Sequence, residues 1–193
     1  MSTAVSETRE SPARRRVLDT ATALFYAEGV HAVGIDRIIA EAGVAKATFY
    51  HHFPAKDELV RAYIERQSRL GQADIARLDR RSPRETLLAI FDLVADAVRQ
   101  PGYRGCPFVN AAAEYPDPAS PVRRAIDEHR RWKRDLLREL LAEDGCRDPV
   151  PTADILTVIG DGMLVASHLD KPPNVRELLR DAVTAILDTH RST

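Results

Sequence analysis

The sequence predicts an all-α protein in two parts, an N-terminal helix-turn-helix three-helix domain joined to a C-terminal helical bundle. Three observations predict it. Apolar residues recur at three- and four-residue spacing along most of the chain, no stretch sustains the alternation of a half-buried strand, and Ser-Pro pairs and glycines fall where helices start and stop. At 193 residues the chain exceeds one average domain and falls short of two. Its 44% hydrophobic and 30% charged composition supports a packed core.

The first helix opens at Ser11-Pro12, with Ser as N-cap and Pro at the first helical position, buries Val17, Leu18, Ala21, Leu24 and Phe25, and ends at Gly29. Ile35, Ile38, Ile39 and Ala42 mark a short second helix closed by Gly43. A third runs from Ala45 to Phe53 and breaks at Pro54. The long helix that follows carries Leu59, Val60, Tyr63, Ile64 and Leu70. Ser82-Pro83-Arg84-Glu85 has the capping-box pattern, and Leu87, Leu88, Phe91, Val94 and Val98 line one face until Pro101-Gly102. Prolines and glycines keep residues 102–121 irregular, with room for one short helix. Ser120-Pro121 opens a helix burying Val122, Ile126, His129, Trp132, Leu136, Leu137 and Leu140. The last two helices begin near Thr152 and at Asn174, which forms a second capping box with Glu177.

A formal net charge of -1 supplies no bulk field for nucleic acid or an anionic membrane, so any such partner must meet a local patch. The longest uninterrupted apolar runs are too short to cross a bilayer, and the N-terminus lacks the apolar segment of a secretory signal, which points to the cytoplasm. Cys106 and Cys146 lack metal-ligand spacing, and the sequence asks for neither a metal nor another cofactor. It also has no Gly-rich phosphate loop, His-Glu-x-x-His pattern or nucleophile elbow, so it is not read as an enzyme.

The stretch GVAKATFYHHFPAKDEL, residues 43–59, carries the chemistry. On a helix its Phe49 and Phe53 share one face, whereas Ala47, Thr48, Tyr50 and His51 fall on the other with Lys46 at the start. The outer face offers donors to phosphate and base edges and an alanine small enough for close approach. Lys56, beside the backbone N–H groups opening the next helix, makes a phosphate clamp, and Arg14, Arg15, Arg16 and Arg37 supply further cations for a DNA backbone. Against this, residues 9–52 hold six Lys/Arg and five Asp/Glu, a nearly balanced patch. His51 and His52 diverge by about 100° on a helix, a poor metal clamp.

GIDRIIAEAGVAKATFYHHFPAKDELV resembles the DNA-binding signature of the TetR (tetracycline repressor) family of bacterial transcription regulators. Gly29, Ile38, Ala42-Gly43-Val44, Thr48, Tyr50, Phe53, Lys56 and Leu59 fall in family register. The resemblance implies a DNA-binding domain over 11–65, with its recognition motif at about 34–53, after a flexible N-terminus at 1–10 and before a ligand-binding and dimerisation domain over 66–193. It also implies that Lys46, Ala47, Thr48, Tyr50, His51 and His52 face DNA, with Tyr50, His52 and Lys56 mainly on phosphates. Arg37 and Ala45, which starts the recognition helix, complete the expected DNA-binding set. The chain departs from the family at Val33, where threonine often caps the second helix, at Ala45, where serine is common, and at Ala47, where glycine is frequent. Each lost cap costs about 1 kcal/mol.

Such a helix reaches few bases, so specificity requires a two-fold dimer placing two of them in successive major grooves roughly 34 Å apart. ILTVIGDGMLVAS, residues 155–167, is apolar round most of a helix, and the last helix has an apolar stripe. The family resemblance puts a four-helix dimer interface there, giving Ile155, Leu156, Ile159, Met163, Val175, Leu178, Leu179, Ala182, Val183 and Ile186 as interface residues. Burial inside one chain is the competing account. The resemblance also implies a small, largely apolar effector held in the bundle, and the candidate wall is Phe91, Val94, Tyr103, Cys106, Phe108, Asn110, Glu114, His129, Trp132 and Met163. A satisfied core histidine is the competing account of His129. Cys106, between Gly105 and Pro107 with Arg104 beside it, is a candidate for a partly exposed, activated thiol, with an inert buried thiol the competing account, and Cys146 reads as a solvated loop residue.

The function read from this is a ligand-released repressor that binds a palindromic operator as a homodimer. The alternative is a helical small-molecule-binding or interaction module that has lost specific DNA binding, and steeply salt-dependent DNA binding separates the two.

Overall fold

The computed structural model describes residues 11–79 and 82–190, and the expected flexible N-terminus at 1–10 lies outside them. The chain forms two compact units, Met1–Tyr63 and Ile64–Thr193. Among the described residues every regular element is a helix.

The first unit contains α1 (Pro12–Glu28), α2 (Ile35–Ala42), α3 (Lys46–His52) and the opening turns of α4 (Lys56–Ala76). The five residues expected inside on α1 are all buried. Ser11 sits at its N-cap without a capping side-chain bond; its hydroxyl meets His52 Nε2 at 3.2 Å instead. Gly43 ends α2 in the left-handed region at φ 61°, with Gly43 N–H donating to Ala40 and Val44 N–H to Ile39, a Schellman closure that fixes the turn into α3. Val33 corrects an expectation: Gly34, not Val33, is the N-cap of α2. Val33 and Ile38 occupy the two positions of a hydrophobic staple, and both are fully buried. Burial thus replaces the cap that a threonine would provide.

The second unit contains the rest of α4, α5 (Pro83–Ala97), α6 (Pro107–Glu114), α7 (Pro121–Glu143), α8 (Pro149–Leu169) and α9 (Val175–Thr189). Proline opens α5, α6, α7 and α8, where its fixed φ fits the first turn and its missing N–H costs nothing. Ser82 caps α5 by accepting from Glu85 N–H, and Ser120 caps α7 by accepting from Val122 N–H. The core joins Leu87, Ile90 and Phe91 of α5, Leu137 and Leu141 of α7, Leu156 of α8, and Leu179 and Val183 of α9. Gly160 lets α8 approach closely, since a Cβ there would lie 3.4 Å from the Phe91 ring. Arg176 of α9 pairs with Asp92 and Asp96 of α5, and Arg180 also pairs with Asp92, tying the two helices together at the surface.

Several expectations are corrected here. α8 starts at Pro149, three residues early, because two prolines fit its first turn. Asn174 makes no side-chain cap to α9. Leu70 is 51% exposed, and His129, Trp132 and Leu136 are only half-buried. Cys146 is not solvated: it packs half-buried against the core, its Sγ 3.5 Å from Thr152 Oγ1. Pro149–Leu169 is long and apolar enough by length and composition to cross a bilayer, which uninterrupted runs did not reveal because Thr and Asp interrupt them. A third of its apolar window is buried within the chain.

Candidate nucleic-acid interface

α3 is a seven-residue helix that buries one face and exposes the other. Phe49 and Phe53 are 0% and 2% exposed, with ring centroids 6.1 Å apart. The Arg14 guanidinium lies 5.1 Å above the Phe53 ring, a cation–π contact on the same anchor. Lys46, Ala47, Tyr50 and His51 are exposed, Thr48 and His52 half-buried, and the N-cap Ala45 exposed. Tyr50, 40% exposed, packs edge-on to the Phe49 ring at 5.3 Å, so the buried anchor also orients the outward phenol. His52 is held by Ser11 and sits 5.0 Å, centroid to centroid, from the His51 ring.

The cations around this face are engaged. Arg37 donates to both carboxylate oxygens of Glu28 at 2.6 and 2.8 Å and to Glu41 at 2.7 Å. These bonds, the Glu28 pair first, raise its pKa further above its already high value. Arg37 is therefore no free backbone cation, since a phosphate must displace two carboxylates to use it. Lys46 Nζ lies 3.2 Å from Asp36, but both side chains are mostly exposed, so water and salt weaken that pair. Lys56 is half-buried at the first position of α4, where Asp57 and Glu58 share the first turn. Those carboxylates suit the helix dipole and compete with a phosphate there.

In the second unit the residues expected around one effector have differing surroundings. Phe91 is core, and Val94 and Met163 pack against it half-buried. Tyr103 lines a cavity of about 290 Å³ beside the α8–α9 turn, whereas His129 and Trp132 line a separate groove of about 300 Å³ with Ser68 and Gln72. Asn110 is exposed and donates to the Arg104 carbonyl, and Glu114 is half-buried at the end of α6. Phe108 stacks on His129 with ring centroids 3.7 Å apart. Ser68 Oγ lies 3.0 Å from His129 Nδ1, so that histidine is hydrogen-bonded. Burial first, then the nearby Lys133 and Arg130 cations, lower its pKa to about 4, which keeps it neutral at neutral pH. For Cys106 the structure favours the buried thiol over the activated one. Burial raises its pKa, and the backbone N–H groups of Val109 and Phe108 and the Lys133 charge only partly offset this.

The interface expected on the last two helices also changes. Leu156, Val175, Leu179 and Val183 are 0–5% exposed and belong to the core of one chain, so they are not available to a partner. Ile159, Met163, Ala182 and Ile186 are half-buried. Ile155 and Leu178 remain exposed, at 40% and 42%.

Residues 17–63 match the family described as bacterial regulatory proteins, tetR family, and residues 83–155 match the tetracyclin repressor-like C-terminal domain. The crystal structure of SCO4454, a TetR-family transcriptional regulator from Streptomyces coelicolor, is 44% identical to this chain, covers 93% of it and 96% of its own length, and has a TM-score of 0.88. The chain belongs to the TetR family. This TetR-family protein is also similar to a putative TetR regulator of Streptomyces avermitilis, 29% identical with 93% and 98% of the two chains covered and a TM-score of 0.84. Among curated proteins, the HTH-type transcriptional repressor NemR of Escherichia coli is 27% identical over 174 residues, 84% of this chain and 87% of NemR. The TetR-family chain is a DNA-binding transcriptional regulator.

Sequence reasoning missed three partners in this TetR-family regulator: Ser11 on His52, Ser68 on His129, and Asp161, which pairs with Arg130 at 2.9 Å and Lys133 at 3.7 Å. The two serine contacts join residues 41 and 61 positions apart, which helical periodicity cannot signal.

Proposed function

We propose that this regulator is a repressor that binds a palindromic operator as a homodimer, works in the cytoplasm and is released by a small, largely apolar effector. The observation that carries the reading is the division of α3. Phe49 and Phe53 are sunk in the first unit while Lys46, Ala47, Tyr50 and His51 stand out from it, with Thr48 and His52 at the edges. That face suits a major groove, Thr48 and His51 toward base edges and Tyr50, His52 and Lys56 toward phosphates, with Ala45 and Ala47 leaving room for close approach. Arg37 joins only by exchanging Glu28 and Glu41 for a phosphate.

The dimer face follows from what α8 leaves exposed. Ile155, Val158, Gly162, Val165 and Leu169 recur at alternating three- and four-residue spacing, and Val158 and Leu169 are 69% and 71% exposed. With Leu178 of α9 they form an apolar stripe that a second copy of the two helices covers. Of the earlier set, Leu156, Val175, Leu179 and Val183 belong to the chain's own core, and Ile155 and Leu178 to this stripe.

Selection of bound sequences from random duplex DNA by the purified protein tests the reading. Enrichment of a palindrome with half-sites about one helical turn apart, or a related spacing, supports it. Enrichment of single half-sites, or of none, contradicts it.

A further inference from the structure

We propose that the cavity beside the α8–α9 turn is a binding site for a small organic carboxylate with an apolar body. The cavity, about 290 Å³, carries Arg99, His168 and Lys171 and no acidic residue in its lining. Elsewhere in the unit Arg84, Arg130, Lys133, Arg176 and Arg180 sit on aspartates. Neither Arg99 nor Lys171 has an ion-pair partner among the described residues. Two unmatched cations converging on one concavity make a local field for an anion.

The turn itself points the same way. Lys171 follows the C-cap of α8 at φ 50°, and among the described residues it is the one non-glycine with positive φ. Glycine takes that conformation without strain and is the usual residue just past a helix end. A lysine stands there although the backbone favours glycine, and it is one of the residues that line the cavity. Ser167 forms part of the wall, is 6% exposed and has a hydroxyl without a hydrogen-bond partner, not even the carbonyl one turn back that helical serines commonly use. A ligand oxygen is a group that can satisfy it.

The remaining wall selects the body of the ligand. Val98 and Val175 are apolar, and Tyr103 is held with its hydroxyl donating to the Leu164 carbonyl at 2.8 Å, so its ring serves as a fixed side. His168 lies edge-on to that ring at 6.4 Å. A carboxylate on a short apolar or aromatic body uses both kinds of wall, whereas inorganic phosphate uses only the cations. Any consequence for DNA binding rests on the repressor reading above; the binding itself does not.

Calorimetric titration of the full-length protein with benzoate, with inorganic phosphate as competitor, tests the site. Wild type is expected to bind benzoate saturably at one site per chain, with roughly tenfold loss of affinity in Lys171→Gly and in Arg99→Gln from the removed charge-assisted contacts. Lys171→Gly relieves the left-handed backbone, so its melting temperature stays level or rises while its affinity falls. Absence of saturable binding to wild type, unchanged affinity in both variants, or displacement of benzoate by equimolar phosphate overturns the proposal. Benzoate binding that leaves operator affinity unchanged upholds the site and refutes its link to repression.

Discussion

α3 and α8 both leave one face uncovered, and the two faces differ in kind. α3 spends seven residues on one aromatic anchor and a polar outer face, with Phe49 at 0% exposure beneath Tyr50 at 40%. α8 is apolar on both sides: Leu156 at 0% faces its own chain, and Val158, two residues on, is 69% exposed. A polar uncovered face is stable in water and free to meet phosphate and base edges. An apolar one of this length calls for another protein surface. On the proposed reading, the chemistry of the uncovered face is what gives DNA to one helix and a second copy of the chain to the other.

Substitutions on either side of each helix sharpen that contrast. The largest expected effect is Phe49→Ala, which removes a fully buried ring and should destabilise the first unit by about 3–5 kcal/mol, read as a lowered urea midpoint; operator binding should go with it. On α8, Leu156→Ala should cost about 2–5 kcal/mol of unfolding free energy, whereas Val158→Ala should change the monomer's stability by less than about 0.5 kcal/mol. Equal losses in that pair would erase the distinction between core and partner face. Val158→Glu should leave the chain folded but monomeric by sedimentation, weakening operator binding through loss of the second half-site.

A subtler contrast concerns charge. Because the folded pKa of His129 is about 4, well below the ordinary value near 6.5, the unfolded chain takes up a proton first as pH falls. The stability from keeping this ring neutral is present above about pH 6.5 and is lost progressively as pH falls toward 4. Urea midpoints measured across that window should fall with pH less steeply in His129→Gln than in wild type; parallel curves would mean the ring titrates normally. The smallest effect is expected at Lys46. Its exposed pair with Asp36 contributes little to stability, so Lys46→Ala should leave the melting temperature within error while lowering the slope of log affinity against log salt by about one.

Much of the first unit was legible in the sequence because its helices each have a single buried stripe. Val17, Leu18, Ala21, Leu24, Phe25, Phe49 and Phe53 follow helical spacing, and Gly29 and Gly43 mark the ends. The position at Val33 misled because a cap and a staple differ by one residue in register. α8 and α9 were legible as helices but not as faces, since periodicity cannot divide a helix that is apolar all round between its own core and a partner. The cavity at the α8–α9 turn was less legible still. Arg99, Ser167 and Lys171 are brought together by the packing of α5 against α8 and α9, and of its wall only Val98, Tyr103 and Val175 stood out beforehand, none of them for a charge.

The most direct test of the central claim, that the outer face of α3 reads DNA, is anisotropy titration of the selected operator with wild type and Tyr50→Ala, alongside melting and sedimentation of both. Loss of about 1–3 kcal/mol of binding, roughly tenfold or more, with folding and dimerisation unchanged is the result the account predicts. A variant that folds, dimerises and binds the operator at full strength would contradict it.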